Sequence, residues 1–249
     1  MQRGFLFMRK KVFSRLKTMV ISLVLVGMCV LVSYAMQKTE IVTPTSTIPK
    51  GNQRIVILDA GHGGMDGGCS AKDGTVEKDI NLNILLNLRD MLIASGYTVE
   101  VTRDKDISIH DKGVEGIANQ KSSDMDNRLA LFNKYDNAIC ISIHQNLFTD
   151  SKYSGAQMFY SDTNSKSETL ASILQNKFVE YLQPDNAREI KLCGKELFLC
   201  YFSENPTVMA ECGFLSNPDE AEKLKTPEYQ KEIAFTIYSA INEYYATTN

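Results

Sequence analysis

Four residues carry the chemistry open to this chain: His62, Glu77, His144 and Glu211. His62 lies in the run Arg54–Asp66 (RIVILDAGHGGMD), just after the apolar stretch Ile55–Leu58 and among Gly61, Gly63 and Gly64. His144 follows a second apolar stretch, Ala138–Ile143 (AICISI). Two imidazoles at the carboxyl ends of two buried strands meet at one edge of a sheet, where open α/β sheets bind ligands. With one carboxylate and a water they make the ligand set of a catalytic zinc ion. Glu77, at the start of the helix after the glycine-rich loop Gly67–Gly74, is the candidate carboxylate. Its other reading is an acidic residue favoured by the helix macrodipole. Glu211 ends a third short strand, Thr207–Ala210, where an unpaired carboxylate is costly to bury. It can take a proton without binding the metal. The plainer readings make His62 a turn residue and His144 a satisfied core histidine.

The elements that must position these groups alternate along the chain. Unbroken apolar runs mark strands buried on both faces of a parallel sheet. Glu77–Ser95 has Ile80, Ile84, Leu88 and Met91 on one stripe, with Gly96 as its stop, and is expected to be a helix. Tyr97–Thr102 reads as the next strand, Arg103–Lys121 as a surface loop and Asp124–Tyr135 as a helix. Gly155–Tyr160, Glu196–Phe202 and Thr207–Ala210 read as strands; Ser167–Leu182 and Pro227–Tyr245 read as helices. The expected fold is α/β, a single domain with a mainly parallel twisted sheet flanked by helices on both faces.

Ahead of it, residues 1–17 carry six basic and no acidic residues, and Met19–Met36 is almost wholly apolar. About 18 helical residues roughly cover a hydrocarbon core, and the basic flank places the bulk of the chain outside. Residues 1–36 are therefore expected to be a membrane anchor, or a cleaved signal, since Ser33-Tyr34-Ala35 resembles a cleavage site. Residues 37–53 read as a polar linker and 54–249 as the catalytic domain. Beyond the basic tail the chain holds 21 Lys+Arg against 30 Asp+Glu, which argues against nucleic acid as a partner. Of six cysteines no two have CxxC spacing, so a cysteine zinc site is not expected.

Five segments give the residues a wider context: IVILDAGHGGMDGG, TVEKDINLNI, VTRDKD, ISIHQN and VMAECGFLSNPDE. In this order and spacing the chain resembles the zinc-dependent N-acetylmuramoyl-L-alanine amidases, from residue 54 to about 245. The resemblance implies one zinc ion per chain held by His62, Glu77 and His144, with Glu211 as catalytic acid/base and peptidoglycan as substrate. It leaves Asp59, Arg103, Arg128 and Asn146 as supports of the site or contacts to substrate, with Asp59 expected to orient His62 or its loop. Arg103 and Asp104 fit the family's T-R-x-x-D turn. Ala60 stands where the family often has Pro, and Phe132-Asn133 where it has Ala-Asn.

An anchor, a linker and a catalytic domain without wall-binding repeats resemble the spore-cortex branch of the family. Its members remove stem peptides so that muramic-δ-lactam forms ahead of germination. The implied location is the outer face of the cytoplasmic membrane, or the space between forespore and mother-cell membranes. Need for an activating protein partner stays open. The rival readings are a vegetative or division amidase, a non-catalytic peptidoglycan-binding protein and a Cys–His hydrolase using Cys69, Cys140 or Cys212. Dinucleotide binding is weaker still, since no helix starts directly after Gly61-His62-Gly63.

Overall fold

A computed structural model describes residues 54–248, together with the isolated positions 19, 27 and 28. The expected anchor or signal over 1–36 and the linker over 37–53 otherwise lie outside the described residues. No helix among the described residues is long and apolar enough to cross a membrane. The chain divides into Met1–Pro49 and Lys50–Asn249, and the second unit carries the fold.

Six strands form one sheet: β1 (Ile55–Ala60), β2 (Thr98–Val101), β3 (Ala138–Asn146), β4 (Gln157–Tyr160), β5 (Lys191–Leu192) and β6 (Thr207–Phe214). Their order is β2-β1-β3-β6-β4-β5. Every neighbouring pair is parallel except β4 with β6, which is antiparallel. β1 lies between two neighbours and is buried along its whole length, hence its apolar run without alternation. Successive side chains still alternate: Val56, Leu58 and Ala60 join one core, Ile55 and Ile57 the other.

The larger core lies under three helices, α1 (Glu77–Ala94), α3 (Lys166–Tyr181) and α6 (Pro227–Thr247). Their apolar stripes, Ile80, Ile84 and Leu88 on α1 among them, face the sheet. Gly96, at φ 84, ends α1, and Tyr97 N–H closes back on Leu92 O at 3.1 Å. The opposite face is covered by α2 (Ile117–Phe132) and the five-residue α4 (Phe198–Phe202) through Phe132 and Leu199. After β6, Asn217 caps α5 (Pro218–Leu224) by accepting from Asp219 N and Glu220 N at 3.0 and 3.1 Å.

The sequence expectation differs from the structure in three places. Glu196–Phe202, read as a strand, contains helix α4; an apolar run as short as FLCYF suits either state. The sheet edge beside β4 is taken instead by β5. Helix α2 begins at Ile117, seven residues before the expected start, because its first two turns are polar and exposed and leave no apolar stripe to read. Finally, β3 and β6 run on to Asn146 and Phe214, so His144 and Glu211 lie within strands rather than beyond them. The β3–β6 register shifts between His144 and Asn146, a bulge that re-aims side chains at this edge.

Candidate metal centre

The site is built where β1 gives way to its loop. Gly61 N–H still pairs with Ile143 O of β3 at 3.0 Å, and the chain then turns through Gly63 (φ 133) and Gly64 (φ 57). His62 itself sits at φ 64, the one non-glycine residue with positive φ among the described residues. Such a conformation costs of order 1 kcal/mol and persists only where the surroundings impose it. Here Arg128 Nη2 donates to His62 O at 2.7 Å, and Gly63 and Asp66 exchange backbone hydrogen bonds at 2.8 and 3.1 Å.

Glu77 arrives from the first turn of α1 but does not serve that helix's own amides. Its Oε2 accepts from Cys69 N–H at 2.9 Å, and its Oε1 from Gln145 N–H at 3.1 Å and Asn81 Nδ2 at 3.2 Å. The same oxygens face the two imidazoles, His62 Nε2 at 3.3 Å and His144 Nδ1 at 3.0 Å. Burial alone would raise the Glu77 carboxyl, yet the hydrogen bonds and charge of His144 and His62 hold it far below the usual carboxylate range. For His62, burial works against the charged form, but Glu77 and Asp66 outweigh it and hold the ring above its ordinary value.

One atom from each of His62, Glu77 and His144 falls within 4.8 Å of the others, a grouping that can hold a metal ion. The surroundings fit one. The two rings stand edge to face, centroids 4.9 Å apart. A Cβ on Gly61 would run into the His144 ring, and one on Gly68 would meet Glu77 Oε2 at 2.5 Å and His62 Cδ2 at 2.6 Å. Two nitrogens and a carboxylate oxygen are borderline donors of the kind zinc takes. Gly61→Ala should therefore displace His144 and abolish metal binding while the sheet still folds, read by metal content beside circular dichroism. An alanine variant with wild-type metal content would overturn this account of the cradle.

Glu211 stands opposite His144 in the β3–β6 register. It is half-buried, and its Oε2 is shielded from solvent with no hydrogen-bond partner. Burial, reinforced by the charge of Glu77 and opposed by both imidazoles, pushes its carboxyl up to about 7. A carboxyl so poised can accept and return a proton near neutrality.

Behind these four lies a buried brace. Asp59 accepts from Thr102 Oγ1 at 2.7 Å, Ser142 Oγ at 2.6 Å and Arg128 Nη1 at 2.5 Å, so it reaches the His62 loop through Arg128 rather than through the imidazole. Arg103 donates to the carbonyls of Ala60, Gly61 and Lys78 at 2.9, 3.1 and 2.8 Å. Asn146 enters through its backbone carbonyl, which accepts from Leu215 N–H at 2.8 Å. The carboxylate of the Arg103 turn that reaches the loop is Asp106, bonded to Gly64 N–H at 2.7 Å and paired with Lys78; it is not Asp104. Asn133 points away from the centre, to Glu204 N–H at 2.9 Å. Sequence reasoning missed Asp66, 3.1 Å from His62 Nδ1, and Asn81 and Gln145, which hold Glu77 and each other. Asp66 carries a legible signal, a carboxylate four residues after a glycine-flanked histidine.

The cysteines give a nucleophile no support. Cys69, Cys140 and Cys212 turn their thiols to the carbonyls of Gln145, Phe132 and Ala210. Burial pushes all three up, Cys140 to about 12, so they remain protonated.

Residues 56–243 match the family model of N-acetylmuramoyl-L-alanine amidase. The germination-specific N-acetylmuramoyl-L-alanine amidase of Bacillus subtilis is 34% identical over 77% of this chain and 80% of its own length. Among solved structures, the CwlD amidase of Clostridioides difficile, in complex with the GerS lipoprotein, is 37% identical with a TM-score of 0.75, covering 78% of this chain and 99% of that one. An N-acetylmuramoyl-L-alanine amidase from Clostridium difficile 630 is 28% identical with a TM-score of 0.68, covering 80% and 100%. A sheet edge that gathers two histidines and two carboxylates, and a match over nearly all of the described residues, lead to one conclusion: the chain belongs to the N-acetylmuramoyl-L-alanine amidase family, is CwlD-like within it and is an enzyme of that activity.

Proposed function

We propose that this amidase is zinc-dependent and acts on spore-cortex peptidoglycan, ahead of the muramic-δ-lactam formation that germination needs. The observation that carries the zinc reading is the grouping of His62, Glu77 and His144 beside a shielded carboxylate oxygen of Glu211. Those three residues would hold the ion. When bound, zinc polarises the substrate carbonyl and brings water ionisation towards a pKa of about 7. Glu211 accepts the proton of the attacking water and delivers it to the leaving nitrogen. The water oxygen adds to the lactyl carbonyl carbon, the carbon–nitrogen bond breaks, and a lactyl carboxylate and the free amine of L-alanine result. Backbone amides of Cys69 and Gln145 keep Glu77 still throughout.

The cortex reading is supported by the likeness to the germination-specific relative. The basic and apolar residues ahead of the linker support a place at the outer face of the cytoplasmic membrane, in a sporulating cell the space between forespore and mother-cell membranes. The complex of the Clostridioides difficile relative supports a lipoprotein partner here as well.

Purified full-length chain should contain zinc and release stem peptides from peptidoglycan. Chelation should abolish release, zinc should restore it and thiol alkylation should leave it intact. Zinc-free protein with undiminished release would overturn the metal reading. Deleting the gene should remove muramic lactam from spores, whereas normal lactam with failed cell separation would favour a division amidase.

A further inference from the structure

The two imidazoles of the centre are held by different means. His144 presents Nδ1 to Glu77 Oε1 at 3.0 Å, and its ring is confined by the backbone of Gly61, where even a methyl group would collide with it. Among the described residues no hydrogen bond reaches its other nitrogen. His62 precedes the glycine-rich loop, and its ring is likewise walled by glycine backbone, since a Cβ on Gly68 would come within 2.6 Å of its Cδ2; the difference lies at the second ring nitrogen. Its Nδ1 instead meets Asp66 Oδ2 at 3.1 Å, while Nε2 faces Glu77 at 3.3 Å. The second oxygen of Asp66 is taken by Lys121 Nζ at 3.1 Å, reaching in from the exposed start of α2, and by Gly68 N–H at 3.4 Å. The backbone of Asp66 closes the tight turn on Gly63 that also holds His62 at φ 64.

We infer that Asp66, tethered by Lys121, is a positioning residue that fixes the tautomer and ring orientation of His62, so that Nε2 is the nitrogen offered to the metal. An imidazole that donates Nδ1–H to a carboxylate leaves Nε2 as the lone-pair nitrogen and makes it more basic. Lys121 stops Asp66 from turning out to solvent, and through it the first turns of α2 bear on the metal centre. The inference rests on the metal reading above for its functional consequence, but the Nδ1–H bond to Asp66 exists with or without the ion.

Zinc affinity of the full chain, measured by competition with a chelating dye, should fall about 10–100-fold in Asp66→Ala. Asp66→Asn keeps an acceptor for Nδ1–H and should recover most of the loss. Lys121→Met, at a half-exposed position, should weaken binding about 2–5-fold. With nitrogen-15 histidine the chain gives only three imidazoles to assign. His62 should be Nδ1-protonated in wild type and Asp66→Asn, and a tautomer mixture in Asp66→Ala. Wild-type zinc affinity and an unchanged His62 tautomer in Asp66→Ala would overturn the inference. Unchanged affinity in Lys121→Met would remove Lys121 from it. If the wild-type chain took up no zinc, the metal reading would fail, and protonation of His62 Nδ1 in the zinc-free wild type against Asp66→Ala would still decide the role of Asp66.

Discussion

Glu211→Gln should lower stem-peptide release by about 10²–10⁴-fold and leave zinc content unchanged. The amide keeps the shape of the side chain but cannot take a proton, and Glu211 is not one of the three grouped donors. His62→Ala, by contrast, should lose zinc and activity together. Paired measurement of metal content and turnover separates the two roles. A Glu211→Gln enzyme with near-wild-type turnover would refute the assignment.

The same residue sets a pH signature. In the zinc-free protein its carboxyl is pushed up to about 7, mainly by burial. The folded chain therefore keeps a proton that the unfolded chain gives up near the ordinary glutamate value of about 4.3. Folded-state stability must fall as pH rises through that window and level off above about 7. Glu211→Gln removes the penalty, so zinc-free variant should be more stable than zinc-free wild type by up to about 3 kcal/mol at pH 8 and equal to it at pH 4. A divalent cation in the site pulls the carboxyl lower. The acid limb of the wild-type rate profile should accordingly lie below pH 7.

How much of this was legible beforehand depended on whether a residue's role could be read locally. IVIL and AICISI announced buried strands because strands covered on both faces need no polar positions. The two histidines stood out by following those strands directly. Glu77 could not be decided by its place at a helix start, which the macrodipole explains equally well. The structure separates the readings, since its oxygens turn back to Cys69 and Gln145. Asp66 was missed although it lies four residues after a glycine-flanked histidine, because it reaches the ring only through a left-handed turn, which leaves no periodicity in the sequence. Helix α4 was misread because five apolar residues fit a strand or a helix, and only the competing edge strand β5 decides between them. Asp59 was expected to act on His62 or its loop, yet the residue that links it to the loop lies 69 positions away on α2.

That residue is Arg128, and its loss should be the largest stability defect in the domain. The side chain is 2% exposed and places four of its five N–H donors on Asp59, Asp124, Ala60 O and His62 O, at 2.5, 2.6, 2.9 and 2.7 Å. Replacing it with Met fills much of the volume but strands two carboxylates, one of them fully buried, and two carbonyls. Removing one partner of a buried ion pair costs about 3–5 kcal/mol. For a domain near 200 residues that is a fall in melting temperature of roughly 10 °C or more. The loss should be pH-dependent. Burial raises the Asp59 carboxyl but Arg128 and its other partners hold it below its ordinary value, so wild type keeps this stabilisation at neutral pH and loses it as pH falls below about 4. Without Arg128 the carboxyl is left to burial, its pKa rises, and protonation relieves the variant in mild acid. The gap between Arg128→Met and wild type should therefore be widest near pH 7 and narrow towards pH 4. Asp59→Asn added to Arg128→Met should recover part of the loss at pH 7, because it removes the unpaired charge. Urea titrations of wild type, Arg128→Met, Asp59→Asn and the double variant at pH 7 and pH 4 complete the cycle, and an Arg128→Met protein within about 1 kcal/mol of wild type at pH 7 would sink the brace. Zinc affinity should weaken in the same variant, since His62 O loses the contact that holds its residue in the left-handed turn.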